Sequence, residues 1–151
     1  MKKDYLELTQ LIERLHRRFL DVLRAELGRM GVKELNAVQA LLLSNIGAEE
    51  IAIRDLVERG YYQGSNVSYN IKKLTDMGYL EQERSQHDRR SVTVRLTPKA
   101  LEVVKRIHEL EDANADGVAQ SGLEPGDLIQ SAETLRKIER TWTDYIRYGG
   151  G

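Results

Sequence analysis

Long stretches with one apolar stripe alternate along the chain with short stretches of strict two-residue alternation. Over residues 5–29, Leu8, Ile12, Leu15, Phe19 and Val22 step by four, three, four and three, and Leu11, Leu23 and Leu27 widen the stripe. That spacing keeps one side of a helix apolar, and Gly31 ends it. A second helix is predicted from about Glu34 to Asn45, with Leu41-Leu42-Leu43 near its centre and Gly47 closing it. Ile51-Ala52-Ile53 reads as a very short strand, and Arg54 to Arg59 as a short helix stopped by Gly60. Another helix opens at Gly64-Ser65-Asn66, with Ser65 or its neighbours as caps, and runs to about Met77 before Gly78. Leu80 to Arg84 and Ser91 to Leu96 read as strands. In the second of these, Val92, Val94 and Leu96 point one way and Ser91, Thr93 and Arg95 the other, the period of a half-buried strand. Thr97-Pro98 is a capped helix start, and that helix extends to about Gln120. Ser121-Gly122 and Glu124-Pro125-Gly126 break the pattern, and a last helix is predicted from Asp127.

This order predicts a mainly α fold: a winged helix-turn-helix with a small β-hairpin wing, and long terminal helices outside it. The terminal helices are too long and too apolar on one side to stand alone in water. They are expected to pack together and against those of a second copy, through Leu8, Ile12, Leu15, Leu135, Ile138, Trp142 and Tyr145. The corresponding division is residues 1–33 and 122–151 for dimerisation, 34–97 for DNA binding and 98–121 as a connecting helix.

Composition narrows the function. The 151 residues are 40% apolar and 31% charged, with a formal net charge of −1, so the whole chain is not a basic nucleic-acid binder. The distribution is more informative: residues 54–95 hold eight Lys/Arg against six Asp/Glu, and residues 96–151 hold seven against ten. The small excess of +2 sits over the wing and the helix before it; its size limits non-specific affinity for DNA, which comes mainly from phosphate neutralisation. There is no cysteine, which excludes disulfides and thiolate metal sites. No apolar run approaches the roughly 20 residues that span a bilayer, and Met1-Lys2-Lys3-Asp4 leads into a charged amphipathic segment. The expectation is a cytoplasmic protein with no membrane partner.

Of the three histidines, His16 precedes two arginines, His87 lies at the wing tip, and His108 precedes Glu109, Glu111 and Asp112. They read as helix surface and loop, so no metal is expected. No serine sits in a nucleophile elbow, and no glycine loop carries a phosphate-binding lysine. The chain is therefore expected to be no enzyme and to use no cofactor.

At about 100° per residue, Val67, Ile71 and Leu74 share one side of the helix after Gly64. Ser65, Tyr69, Lys72, Lys73 and Asp76 share the other, with Asn66 and Ser68 on its shoulders. A major-groove helix reads bases mainly through its N-terminal half. Ser65, Asn66, Ser68 and Tyr69 are thus the candidates for base edges, and Lys72 and Lys73 for phosphates. An exposed Ser/Asn/Lys face is by itself ordinarily a solvated surface. The wing changes that reading, because Arg84, His87, Asp88, Arg89 and Arg90 crowd its tip at winged-helix spacing. The competing reading is a protein-interaction module on a winged-helix scaffold without DNA, which the near-neutral charge favours.

Asp88-Arg89-Arg90, then Ser91 to Arg95, then Leu96-Thr97 closely resembles the wing signature of the MarR family of bacterial transcription regulators: Asp-x-Arg, five residues, Leu-Thr. Leu74 to Leu80 resembles the family's passage from reading helix to strand. The resemblance implies a homodimer on a pseudo-palindromic operator, with the first and last helices forming the dimer lobe. It places Ser68 and Tyr69 where the family reads the major groove, although the family often carries arginine near there. It implies that the acidic and basic pair of the wing braces the hairpin while a tip arginine, Arg89 or Arg90, enters the minor groove. It also implies repression relieved by a small, often aromatic effector, for which no residues are assigned.

Overall fold

The computed structural model describes residues 1–59, 64–84 and 91–149, and within them the side chains of all but residues 64 and 65. The elements are α1 (Lys2–Arg29), α2 (Ala37–Ile46), β1 (Ile51–Ala52), α3 (Ile53–Glu58), α4 (Gly64–Asp76), β2 (Leu80–Arg84), β3 (Val92–Leu96), α5 (Pro98–Gln120) and α6 (Pro125–Tyr148). The mainly α winged-helix architecture predicted from the periodicities is the one observed.

Two differences lie at helix starts. α2 begins at Ala37, not at Glu34, because Asn36 takes an extended backbone and forms a reciprocal capping box with Gln39. α6 begins at Pro125, so Glu124-Pro125-Gly126 starts the helix instead of breaking the chain. Proline suits the first helical position, where an N–H has no partner to lose. Ser65 already lies within α4 and not ahead of it.

Residues Met1–Leu110 form one compact unit and Glu111–Gly151 a second. The core of the first gathers Leu23 and Leu27 from α1, Leu42, Leu43 and Ile46 from α2, Leu56 from α3, Val67, Ile71 and Leu74 from α4, and Val103, Val104 and Ile107 from α5. Outside the core, Glu26 of α1 accepts from Arg106 of α5 at 3.0 Å, and the Arg106 hydrogen bond is the main reason its carboxyl titrates below the usual range.

The three strands form one antiparallel sheet in the order β1-β3-β2. Leu80 pairs with Leu96, Glu81 with Arg95, Gln82 with Val94, Glu83 with Thr93 and Arg84 with Val92. Cross-strand partners share a face, so Leu80, Val94 and Leu96 turn inward together while Glu81, Glu83, Thr93 and Arg95 turn outward.

The passage from α4 into β2 is set by one glycine. Gly78 has φ 85°, which a side chain would strain. The Tyr79 N–H reaches back to the Leu74 carbonyl at 2.9 Å and the Gly78 N–H to that of Thr75 at 3.1 Å, the paired bonds of a Schellman ending. The reversal carries Tyr79 into the core, where it is 1% exposed.

In the second unit, α6 shows no buried residue among those described. Leu128, Ile129, Leu135, Trp142, Tyr145, Ile146 and Tyr148 are all exposed along it. No helix among the described residues is long and apolar enough to cross a membrane.

Candidate nucleic-acid interface

α4 divides as its periodicity requires. Val67, Ile71 and Leu74 are at most 2% exposed, whereas Asn66, Ser68, Tyr69, Lys72 and Lys73 face outward. Tyr69 is 60% exposed, and the Lys73 ammonium stands 5.5 Å from its ring centroid, within cation–π range one turn along the helix. The outward face is polar and basic, and its side chains are close enough to act as one surface.

The helix is held from two sides. Gln39 of α2 donates its side-chain N–H to the Asn70 side-chain oxygen at 3.3 Å. Near the other end, Gln82 of β2 donates to the Thr75 hydroxyl at 2.9 Å, and that hydroxyl donates to the Ile71 carbonyl at 2.7 Å. Neither Gln39 nor Asn70 is marked by helix periodicity or by the wing pattern. The signal for Gln39 was the Asn36-x-x-Gln39 spacing of a capping box; nothing local pointed to Asn70.

At the hairpin, Arg84 is exposed at the end of β2 opposite Val92. His87, Asp88, Arg89 and Arg90 lie outside the described residues, as does the side chain of Ser65. Arg95 is exposed and paired across the strands. Its Nε and Nη2 both reach Glu81 Oε2 at 2.8 Å, and that partner holds the guanidinium even more firmly protonated. Beside it the Thr93 hydroxyl, with one proton to give, lies within hydrogen-bond reach of both Glu50 and the Glu83 carbonyl. Glu50, Glu81 and Glu83 thus surround Arg95 on the outer face of the sheet, in a shallow pocket that also includes Gln82. This face is acidic on balance and would repel a phosphate backbone. Among the described residues no group of three metal-ligating side chains comes together.

A helix-turn-helix of α3 and α4 followed by a β2–β3 wing defines the winged-helix class of DNA-binding domains. A family model described as a winged helix DNA-binding domain matches residues 35–100. The chain is 34% identical over 145 residues to the exopolysaccharide II synthesis transcriptional activator ExpG of Rhizobium meliloti (strain 1021), covering 96% of this chain and 75% of that one. Among solved structures, AbsC, a MarR family transcriptional regulator from Streptomyces coelicolor, has a TM-score of 0.75 at 19% identity over 95% of this chain and 96% of its own. A cysteine-to-serine variant of MarR from E. coli complexed with operator DNA has a TM-score of 0.71 at 18% identity, covering 89% of this chain and 95% of its own. FabT of Streptococcus pneumoniae in complex with DNA also has a TM-score of 0.71 at 18% identity, over 93% of this chain and 98% of its own. These structures share the fold. The chain belongs to the MarR family and is a DNA-binding winged-helix transcription regulator.

Proposed function

We propose that the chain works as a homodimer on a pseudo-palindromic operator, with α4 in the major groove and the wing at the flanking minor groove. The observation that carries this reading is the outward face of α4: polar and basic, 60% exposed at Tyr69, and anchored from behind by α2 and β2. Ser65, Asn66, Ser68 and Tyr69 meet base edges, and Lys72 and Lys73 meet phosphates. Arg84, His87 and the Asp88-Arg89-Arg90 tip engage the backbone and minor groove, where a narrow A/T-rich groove attracts arginine. Asp88 and Arg90 share the second task of bracing the hairpin.

Support for the dimer is the exposed apolar surface of the terminal helices. Leu15, Phe19, Leu135, Trp142 and Tyr145 are 38–65% exposed, and surfaces of this kind mark association sites. Leu8, Ile12 and Ile138 are half-buried beside them in the sequence pattern. Two half-sites then fall about one helical turn of DNA apart.

The regulator acts as a repressor released by a small aromatic effector. Release requires the effector to favour a lobe spacing that fits the operator poorly. A second reading, activation, is favoured by the name of the relative from Rhizobium meliloti, which is a transcriptional activator. Both readings share the DNA contacts. They are tested by selecting duplexes from a randomised pool, measuring mobility shifts against salt, and placing the selected site upstream of a reporter. No enrichment of any sequence would sink the operator reading; reporter output that rises with the protein would select activation.

A further inference from the structure

Gln39 carries the one buried carboxamide among the described residues, at 5% exposure. Its carboxamide serves two elements at once. The oxygen accepts from the Asn36 N–H at 3.1 Å while the Gln39 N–H donates to Asn36 Oδ1 at 2.8 Å, closing the cap of α2. The nitrogen donates across 31 residues of sequence to Asn70 on α4.

Asn70 follows Tyr69 by one residue and lies between the buried face of α4 and its outward face. The buried face is Val67, Ile71 and Leu74, and apolar packing is non-directional. A hydrogen bond on the flank is directional and resists rotation. Side-chain tips lie about 5–6 Å from a helix axis, so a rotation of about 10° displaces them by about 1 Å. A shift of that size takes a base-edge hydrogen bond out of range, while a lysine–phosphate attraction changes little.

We propose that Gln39 is a positioning residue for sequence discrimination: through Asn70 it fixes the rotation of α4 and hence the aim of Ser68 and Tyr69. The proposal rests on the reading of α4 as the helix that meets base edges. Gln39 itself touches no DNA, being buried; its effect is on the choice among sequences and not on the grip on DNA as such.

The test compares Gln39→Met, Asn70→Ala, the double variant and Asn70→Asp in the full chain. Each is titrated against a duplex enriched by the wild-type protein from a randomised pool, and against poly(dI-dC). Gln39→Met and Asn70→Ala are each expected to lower the ratio of specific to non-specific affinity about tenfold. Their affinity for poly(dI-dC) and their salt slope stay near wild type. The double variant loses no more than Gln39→Met alone, because Asn70→Ala removes a bond that Gln39→Met has already removed. Asn70→Asp keeps an acceptor for Gln39 and keeps the ratio, even where its added charge weakens all DNA binding. Should Gln39→Met fail to fold, the contrast between Asn70→Ala and Asn70→Asp decides. Additive losses, an unchanged ratio in Gln39→Met, or equal loss in Asn70→Ala and Asn70→Asp would overturn the assignment to Gln39. A wild-type protein that discriminates among no sequences would overturn the underlying reading as well.

Discussion

The Tyr79 hydroxyl donates to the Glu34 carboxylate, joining the start of β2 to the segment before α2 across 45 residues of sequence. Lys99, in the first turn of α5, completes the junction: its ammonium stands 4.4 Å from the Tyr79 ring centroid, 3.0 Å from the Met77 carbonyl and 3.7 Å from Glu34. Three elements of the DNA-binding unit therefore meet at one phenol. Tyr79→Phe keeps the ring and removes the hydrogen bond, and should cost about 1–2 kcal/mol, whereas Tyr79→Ala also leaves a cavity and should cost about 3–5 kcal/mol. Urea denaturation measures both; equal costs would show that the hydroxyl carries the junction alone.

The same contact gives a pH dependence with a definite sign. The Tyr79 hydrogen bond holds the Glu34 carboxyl below its ordinary 4.5, so this contribution to stability is present above that value and is lost as pH falls through the depressed one. Burial, then Glu34, hold the phenol above its ordinary 10.0, so that contribution is complete below pH 10.0 and is lost as pH rises through the raised value. Stability from the pair is full between these two edges. The difference in unfolding free energy between wild type and Tyr79→Phe should shrink at acidic pH and change again at strongly alkaline pH; a difference flat from pH 3 to pH 11 refutes the linkage.

Arg89 and Arg90 are the proposed charge of the wing tip, whereas Arg95 is held by Glu81. Replacing Arg89 and Arg90 together with alanine should lower affinity for the selected duplex and reduce the slope of log K against log salt by about 2. Arg95→Ala should leave that slope unchanged, because Glu81 already occupies the guanidinium. Mobility shifts at several salt concentrations separate the two; a reduced slope in Arg95→Ala would make that residue a DNA contact.

Leu135 on α6 is 43% exposed and Leu15 on α1 is 62% exposed. If both are covered in a dimer, Leu135→Glu places a charge twice in the interface and should raise the dimer dissociation constant at least ~100-fold, from a loss of about 1.5–3 kcal/mol for each buried leucine. Sedimentation equilibrium reads the result directly. An unchanged dimer would move the interface off this face of α6, and a monomeric wild type would remove it altogether.

Tyr69→Ala should alter sequence preference more than affinity for poly(dI-dC), since the ring projects from the N-terminal half of α4 beside Ser68. Weakening by the same factor on every duplex would make it a backbone contact.

Local pattern determined the element order. Apolar steps of three and four, the alternation of Val92, Val94 and Leu96, and the glycines after α1, α2 and α4 are short-range signals of backbone conformation, and they place all nine elements within three residues. The start of α6 was misjudged because a proline reads equally as a breaker and as a first helical residue; the Glu124 cap decides between them. The outward face of α4 was legible for the same reason, since a helix of known phase has a known exterior. What tertiary structure decided is which polar side chains are spoken for. Periodicity puts Arg95 on the outer face of its strand, and only the β2–β3 register sets Glu81 beside it. Gln39 and Asn70 looked like ordinary polar residues until α2 and α4 packed together, and only the last two turns of the α1 stripe, Leu23 and Leu27, proved to be core. A hydrogen bond or ion pair between residues 14, 31 or 45 apart depends on how whole elements meet, and no local periodicity carries that information.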